Sequence, residues 1–351
     1  MKIGILTIHN IANFGSIFQA LALNKYIRNL GHECEVINYN PFYFRHTTLK
    51  SEIGKLLNYK RYKSRVKKYS DFIEKEMVLT PKNYKNYKQL CKNPPKEDLY
   101  VAGGDQLWNE FYACGQDDAF KLLFTNGRKI SFGTSLGKNE FTEEGLNKLV
   151  ESVSQYEGIG IRERTGAELL INSNVANVRN VCDPVFLLDK EDYRKYIKEV
   201  PVKEKYMFVY LVQSSELLEK AVDYISEKLG LKVVLYAGFV PKCKCDYLIK
   251  EMGPDENLSY LVGADYVLSA SFHASAFSYM FHKQFLTLLP GKNTNARIED
   301  FLTLIGQRDR MVSEVSEIND LVLKEIDWTY SDSVMNKHIS DSKAFLNELI
   351  K

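Results

Sequence analysis

Two α/β domains of the Rossmann-like kind, facing each other across a cleft, are what this sequence predicts, and three observations carry that reading. Short apolar runs of strand length alternate with longer amphipathic stretches of helix length, which is the pattern of a parallel sheet covered by helices. The alternation lapses after Val178 to Cys182 and starts again at Tyr206. At 351 residues the chain is also too long for one compact core of ordinary size. The division that follows is a first domain over residues 1–190, a second over 191–325, and a C-terminal helical segment, 326–351, that crosses back to brace the first.

Lys2 to Thr7 reads as a buried first strand, Ile17 to Leu30 as a helix closed by Gly31, and Glu33 to Tyr39 as the second strand of a right-handed βαβ unit. Between strand and helix lies the polar loop His9-Asn-Ile-Ala-Asn-Phe-Gly-Ser16, with Ser16 as the expected N-cap. It has neither the glycine spacing of a dinucleotide site nor the lysine of a P-loop, and it leaves His9, Asn10 and Asn13 to meet a ligand or simply to form an Asn-rich turn. Asn58 to Lys68 carries six cationic residues and two tyrosines on a helical pattern, a composition suited to an anionic membrane surface or to an ordinary solvated face. Leu99 to Ala102 is a buried strand ending at Gly103-Gly104. It delivers Asp105, Gln106, Trp108 and Asn109 into a loop where carboxylate, amide and indole would suit a hydroxylated ligand, unless Trp108 belongs to the core. Lys129 to Phe132 and Gly158 to Ile161 are short strands, and the second runs directly into the helix that starts near Arg162. An arginine at that junction holds an anion by its fork or pairs with a nearby carboxylate. Val178 to Cys182 closes at Asp183-Pro184.

The second set begins with a strand at Lys205 to Val212, a helix at Ser215 to Leu229 ended by Gly230, and a strand at Lys232 to Tyr236. A loop with Gly, Pro and Cys, Ala237 to Asp246, precedes a short helix at Gly253 to Gly263. Tyr266 to Leu268 is then a buried strand, Ser269 to His273 a polar corner, and Ala274 to Phe281 an apolar helix. His273 therefore sits at a helix N-terminus beyond the carboxyl end of a strand, where unpaired backbone N–H groups favour an anion and an imidazole carries protons. The plainer reading is that Ser271 and His273 cap the helix. Gln284 to Leu289 is one more strand, after which Asn293 to Leu302 places Arg297 at the start of a helix ending at Gly306.

Composition removes several classes. With 47 Lys plus Arg against 45 Asp plus Glu, the net charge of +2 gives no electrostatic footprint for nucleic acid. No apolar run approaches the roughly 18 residues of a spanning helix, and Lys2 to Thr7 is too short for a signal peptide. The six cysteines are scattered, and Cys243-Lys-Cys245 lacks a second pair at zinc spacing, so reduced thiols in the cytoplasm and no metal are expected. The strand-end loops collect His9, Asn10, Asp105, Arg162, His273 and Arg297, a set fitted to group transfer from a phosphorylated donor.

The ordered motifs His9-Asn-x-x-Asn-Phe-Gly-Ser-x-x-Gln-Ala20, Val101-Ala-Gly-Gly-Asp-Gln-Leu-Trp-Asn109, Ile161-Arg-Glu-Arg-Thr-Gly-Ala167, Cys182-Asp-Pro184, Gly253-Pro-Asp-Glu256, Ser271-Phe-His273 and Asn295-Ala-Arg-Ile298 resemble those of the polysaccharide pyruvyl transferase family. Each is weak alone; their order, from the first strand to about Gly306, is specific. The resemblance implies a GT-B-like fold and transfer of pyruvate from phosphoenolpyruvate to two hydroxyls of a sugar, as a cyclic ketal with release of phosphate. No cofactor is expected beyond phosphoenolpyruvate as co-substrate. It further implies His273 as acid/base, Arg162, Arg297 and Ser271 on the donor side, and His9, Asn10, Asp105, Trp108 and Asn109 on the acceptor side. The acceptor would be a sugar or lipid-linked oligosaccharide of a surface or capsular polysaccharide precursor, met at the inner face of the membrane through Asn58 to Lys68.

The sequence departs from the family at several points. Ser271 stands where some members carry Arg, Ala270 and Ala274 replace an Asp and a Gly around the histidine, and Gly104 stands where Ser is common. These leave open a glycosyltransferase using a nucleotide sugar and a non-catalytic ligand-binding member.

Overall fold

A computed structural model of the protein describes residues 1–44, 59–137, 141–210, 215–237, 242–289 and 296–351. Asn58, Leu211 with Val212, residues 238–241 of the cysteine-bearing loop, and Asn293 to Asn295 lie outside the described residues. The chain divides into two compact units. The first contains Met1–Lys60, Tyr69–Leu188 and Asn336–Lys351, and the second contains Arg61–Lys68 and Asp189–Met335.

The first unit is built on a six-stranded sheet of β1 (Lys2–Leu6), β2 (Glu33–Val36), β3 (Leu99–Ala102), β4 (Arg128–Thr134), β5 (Gly158–Ile161) and β6 (Val178–Asn180), in the order β2-β1-β3-β4-β5-β6. Every pairing is parallel. Parallel strands are covered on both faces, which explains why Ile3, Ile5, Leu99, Val101, Ile130 and Ile159 are all fully buried. Its helices include α1 (Phe14–Asn29), α2 (Tyr59–Glu76, whose residues 61–68 group with the second unit), α3 (Glu143–Val153) and α4 (Arg164–Asn172). Buried α1 lies under the sheet with Phe18 edge-on to Phe72 of α2 at 5.6 Å.

The second unit repeats the scheme with β7 (Tyr206–Tyr210), β8 (Lys232–Tyr236), β9 (Tyr247–Ile249), β10 (Tyr266–Ser269), β11 (Gln284–Leu288) and β12 (Met311–Val312). Their order is β12-β11-β10-β7-β8-β9, again all parallel. Its helices include α5 (Glu216–Lys228), α6 (Pro254–Gly263), α7 (Phe272–Met280) and α8 (Ala296–Leu304). A final helix, α9 (Thr329–Leu349), starts in the second unit and ends in the first. Two edge strands, β9 and β12, carry too few apolar residues to announce themselves in sequence; they are added by pairing to β8 and β11. No described helix is long and apolar enough to cross a membrane.

Candidate active site

In an open parallel sheet, ligands settle at the carboxyl edge where the strand order reverses. In the first sheet that point lies between β1 and β3, so the loops leaving Leu6 and Ala102 meet there. Asn13 caps α1, its side chain accepting from the Gly15 amide at 3.0 Å and the Ser16 amide at 3.3 Å. Ser16, the cap expected from sequence, instead turns its Oγ to Asp105 Oδ2 at 2.5 Å. Asp105 has a left-handed φ of 76°, steadied where its Oδ1 accepts from the Gln106 amide at 2.8 Å. Gln19 ties the two loops together: its Nε2 donates to Thr7 Oγ1 at 2.9 Å and to the Ser16 carbonyl at 2.8 Å, while Thr7 Oγ1 donates to the Gly104 carbonyl at 2.9 Å.

The expected acceptor residues divide sharply here. Asn10 is exposed, whereas Asp105 is buried, at 8 % exposure. His9 is buried with Nδ1 3.1 Å from the Thr7 carbonyl. Burial pushes its pKa below the ordinary histidine value, against the smaller opposing pull of Thr7 and Asn38, so the ring is held neutral at pH 7. Asn109 is buried too, donating to Gln106 Oε1 at 3.0 Å and accepting from the Phe111 amide at 3.1 Å, which shapes the loop. Trp108 corrects the idea of an indole laid over a sugar. It is 1 % exposed, its Nε1 donates to the Phe120 carbonyl at 3.0 Å, and its ring stands edge-on to Tyr156 at 5.8 Å.

Arg162 corrects a second expectation. Its side chain is buried at the end of β5 and forms an ion pair with the buried Asp183. Burial opposes the guanidinium charge, yet Asp183, Glu163 and Asp105 together leave its pKa raised. Beside it Glu163 accepts from Ser135 Oγ and from the Gly137 amide, the latter at 3.1 Å. One cation thus serves three carboxylates.

In the second sheet the order reverses between β7 and β10, which puts the turn into α7 at the equivalent position. Ser271 is the N-cap of α7, its Oγ accepting from the Ala274 amide at 3.4 Å, and its own amide donates to Ser269 Oγ at 3.0 Å. Accepting in the cap engages the oxygen and leaves the hydroxyl its own O–H to donate. His273 is in the first turn of α7, 5 % exposed, with its ring edge-on to Phe272 at 5.2 Å. Ser275 fastens this turn to the next strand through Thr287 Oγ1 at 2.8 Å. Half-buried Arg297 occupies the first turn of α8, and α8 packs on α7 through Phe301 against Phe272 and Tyr279, with ring centroids 5.5 and 6.2 Å apart. Since α7 and α8 follow the parallel neighbours β10 and β11, both N-termini, and hence His273 and Arg297, lie at one sheet edge. Two helix starts and a guanidinium make that edge favourable to an anion.

The sequence model of polysaccharide pyruvyl transferase matches residues 13–291. The chain belongs to the polysaccharide pyruvyl transferase family. The match takes in Asp105, Arg162, Asp183, Ser271 and His273, while His9, Asn10 and Arg297 fall outside it. No match was found among curated proteins. Among solved structures, UDP-GlcNAc 2-epimerase from Methanocaldococcus jannaschii superposes with a TM-score of 0.61 at 12% identity, covering 99% of this chain and 100% of that one. UDP-GlcNAc 2-epimerase from Neisseria meningitidis bound to UDP-GlcNAc gives 0.60 at 11% identity, covering 100% and 99%. At such identities the shared property is the fold, which is the GT-B-like one expected.

As a member of the pyruvyl transferase family, the chain has its own reason for Gly104. A Cβ there would lie 2.6 Å from Gln19 Oε1 and 2.9 Å from Pro184 Cγ. Gln19 is held by its Nε2 bonds and cannot swing aside freely. Gly104→Ser is therefore expected to destabilise the protein by about 1–3 kcal/mol, the usual cost of overfilling a packed site. Denaturant unfolding measures it; a neutral result would mean the β1 and β3 loops yield more readily than their hydrogen bonds imply. The residues around this corner that sequence reading did not single out are Gln19, Glu163 and Asp183, whose only signal was membership of the motifs.

Proposed function

We propose that this pyruvyl transferase family member moves the pyruvyl group of phosphoenolpyruvate onto two hydroxyls of a sugar in a surface or capsular polysaccharide precursor. The observation that carries the reading is the family match, joined to the placing of His273 and Arg297 in the first turns of adjacent helices. Arg297 and the two helix starts would hold the donor's phosphate and carboxylate. His273 would protonate the methylene carbon, developing positive charge at C2. A sugar hydroxyl then bonds to C2 and gives up its proton, the C2–O bond to phosphate breaks, and a second hydroxyl closes the ketal. Two hydroxyl protons are lost, one replacing that placed on the methyl carbon and one leaving with phosphate, so a single imidazole suffices to cycle them. Asn10 and Asp105 would meet the acceptor, with Arg162 and Asp183 positioning the loop around Asp105 rather than touching the donor.

A lipid-linked acceptor would be met at the inner face of the membrane through α2. Tyr59, Lys60, Arg61, Lys63, Val66 and Lys67 are exposed, whereas Lys68 is engaged by Glu256 at 2.8 Å. Exposed cations flanked by a tyrosine and a valine favour an anionic surface.

The test is phosphate release from phosphoenolpyruvate, measured with a panel of sugar and lipid-linked acceptors. Acceptor-dependent release with a ketal in the product is expected. Turnover of a nucleotide sugar with no release from phosphoenolpyruvate would overturn the donor assignment.

A further inference from the structure

A groove of about 1140 Å³ opens on the first unit between α3, the segment from Glu110 to Asn126, and the start of β4. Trp108 and Leu149 form its apolar floor, and it is lined by Lys121 and Lys129, residues only 8 % and 4 % exposed. Such burial is unusual for lysine without a partner. Lys121 has one, Asp118 at 3.4 Å, itself half exposed. Lys129 has no hydrogen-bonding or ion-pairing side chain among the described residues. Burial alone lowers its pKa. Two of the three other acids that line it are engaged elsewhere: Glu110 accepts from the Thr142 amide at 2.5 Å and its hydroxyl at 2.7 Å, and Glu144 pairs with Lys148 at 2.5 Å, while the third, Glu151, is exposed and makes no ion pair with Lys129. A lysine so enclosed, its ammonium open to the groove, is favoured by a ligand that brings the counter-charge.

We propose that this groove is a binding site for an acidic sugar, whose phosphoryl or carboxylate group is received by Lys129 and Lys121. Gln116, Asn126 and Gln155 on the rim offer amide donors and acceptors to the hydroxyls of such a body. Lys129 is the second residue of β4, five residues before Thr134 at its carboxyl end, about 17 Å away at the usual strand rise. The site is thus distinct from the strand-end corner around Asp105, and the assignment does not rest on pyruvyl transfer.

The test is calorimetric titration of the full chain with glucuronate and glucose 1-phosphate, glucose serving as the neutral control. Both acidic sugars are expected to bind better than glucose, and Lys129→Met to weaken them by about tenfold or more through loss of a charge-assisted contact. Lys129→Arg should restore most of that affinity. Lys129→Met should also melt at or above the wild type, because a methionine meets burial without a charge to desolvate, so weaker binding in it is not a folding defect. Equal binding by wild type and Lys129→Met overturns the proposal, as does binding of glucose as strong as that of the acids.

Discussion

Arg162→Met is expected to lower the stability of the first unit by about 3–5 kcal/mol, because it leaves the Asp183 carboxylate buried without its cation. Both side chains are essentially inaccessible, at 2% and 0%, so solvent screening does not soften the loss. Asp183 Oδ1 still accepts from the Val185 amide at 3.0 Å, which relieves only part of the charge. The double variant Arg162→Met/Asp183→Asn should recover much of the loss, since removing both charges of a buried pair is far milder than removing one. Urea unfolding of the three proteins decides it. A single-variant loss below about 1 kcal/mol, the range of exposed pairs, would show that the guanidinium is not committed to Asp183 and return it to the list of donor ligands.

The second large effect concerns turnover rather than stability. His273→Gln should lower phosphate release from phosphoenolpyruvate by about 10²–10⁴-fold, the ordinary contribution of a positioned proton carrier. The ring is buried in the first turn of α7, where glutamine fits with little repacking, so melting should change little while the rate collapses. Running the wild-type reaction in deuterium oxide adds a separate reading: the new methyl group must carry a deuteron. Unchanged rates in the variant would remove His273 from the chemistry while leaving pyruvyl transfer standing.

The fold was legible because parallel strands buried on both faces are written as continuous apolar runs, as at Ile3 to Leu6 and Val233 to Tyr236. Likewise the corner at His273 followed from a run that stops at Ser269 and resumes with helical spacing. What sequence could not supply were partners distant along the chain. Whether Arg162 faced a ligand or Asp183, 21 positions on, depends on β5 and β6 lying side by side. Ser16 was the expected helix cap, but its hydroxyl bonds to Asp105, 89 positions away, and Asn13 caps the helix instead. Trp108 had the composition of a sugar platform, but the carbonyl of Phe120 and the ring of Tyr156 hold it inside. Lys129 went unnoticed for the opposite reason: within a strand-like run, a lysine gives no sign of whether its ammonium reaches water.

The path of α9 has a consequence for the protein during its synthesis. Residues 336–351 complete the first unit. Leu346 and Ile350 are buried, Leu349 packs against Gly158, Ser342 Oγ accepts from the Cys182 amide at 2.8 Å, and Arg128 donates to the Leu349 carbonyl at 3.3 Å. A nascent chain emerges N-terminus first, and domains usually close in that order. Here the unit translated first lacks its α9 contacts at Gly158 and Cys182 until residues 336–351 have been made, after the last strand of the second unit. The first unit therefore finishes after the second, and in the interval the apolar surface that Leu346 and Ile350 later meet stands open, which is when aggregation is most favoured.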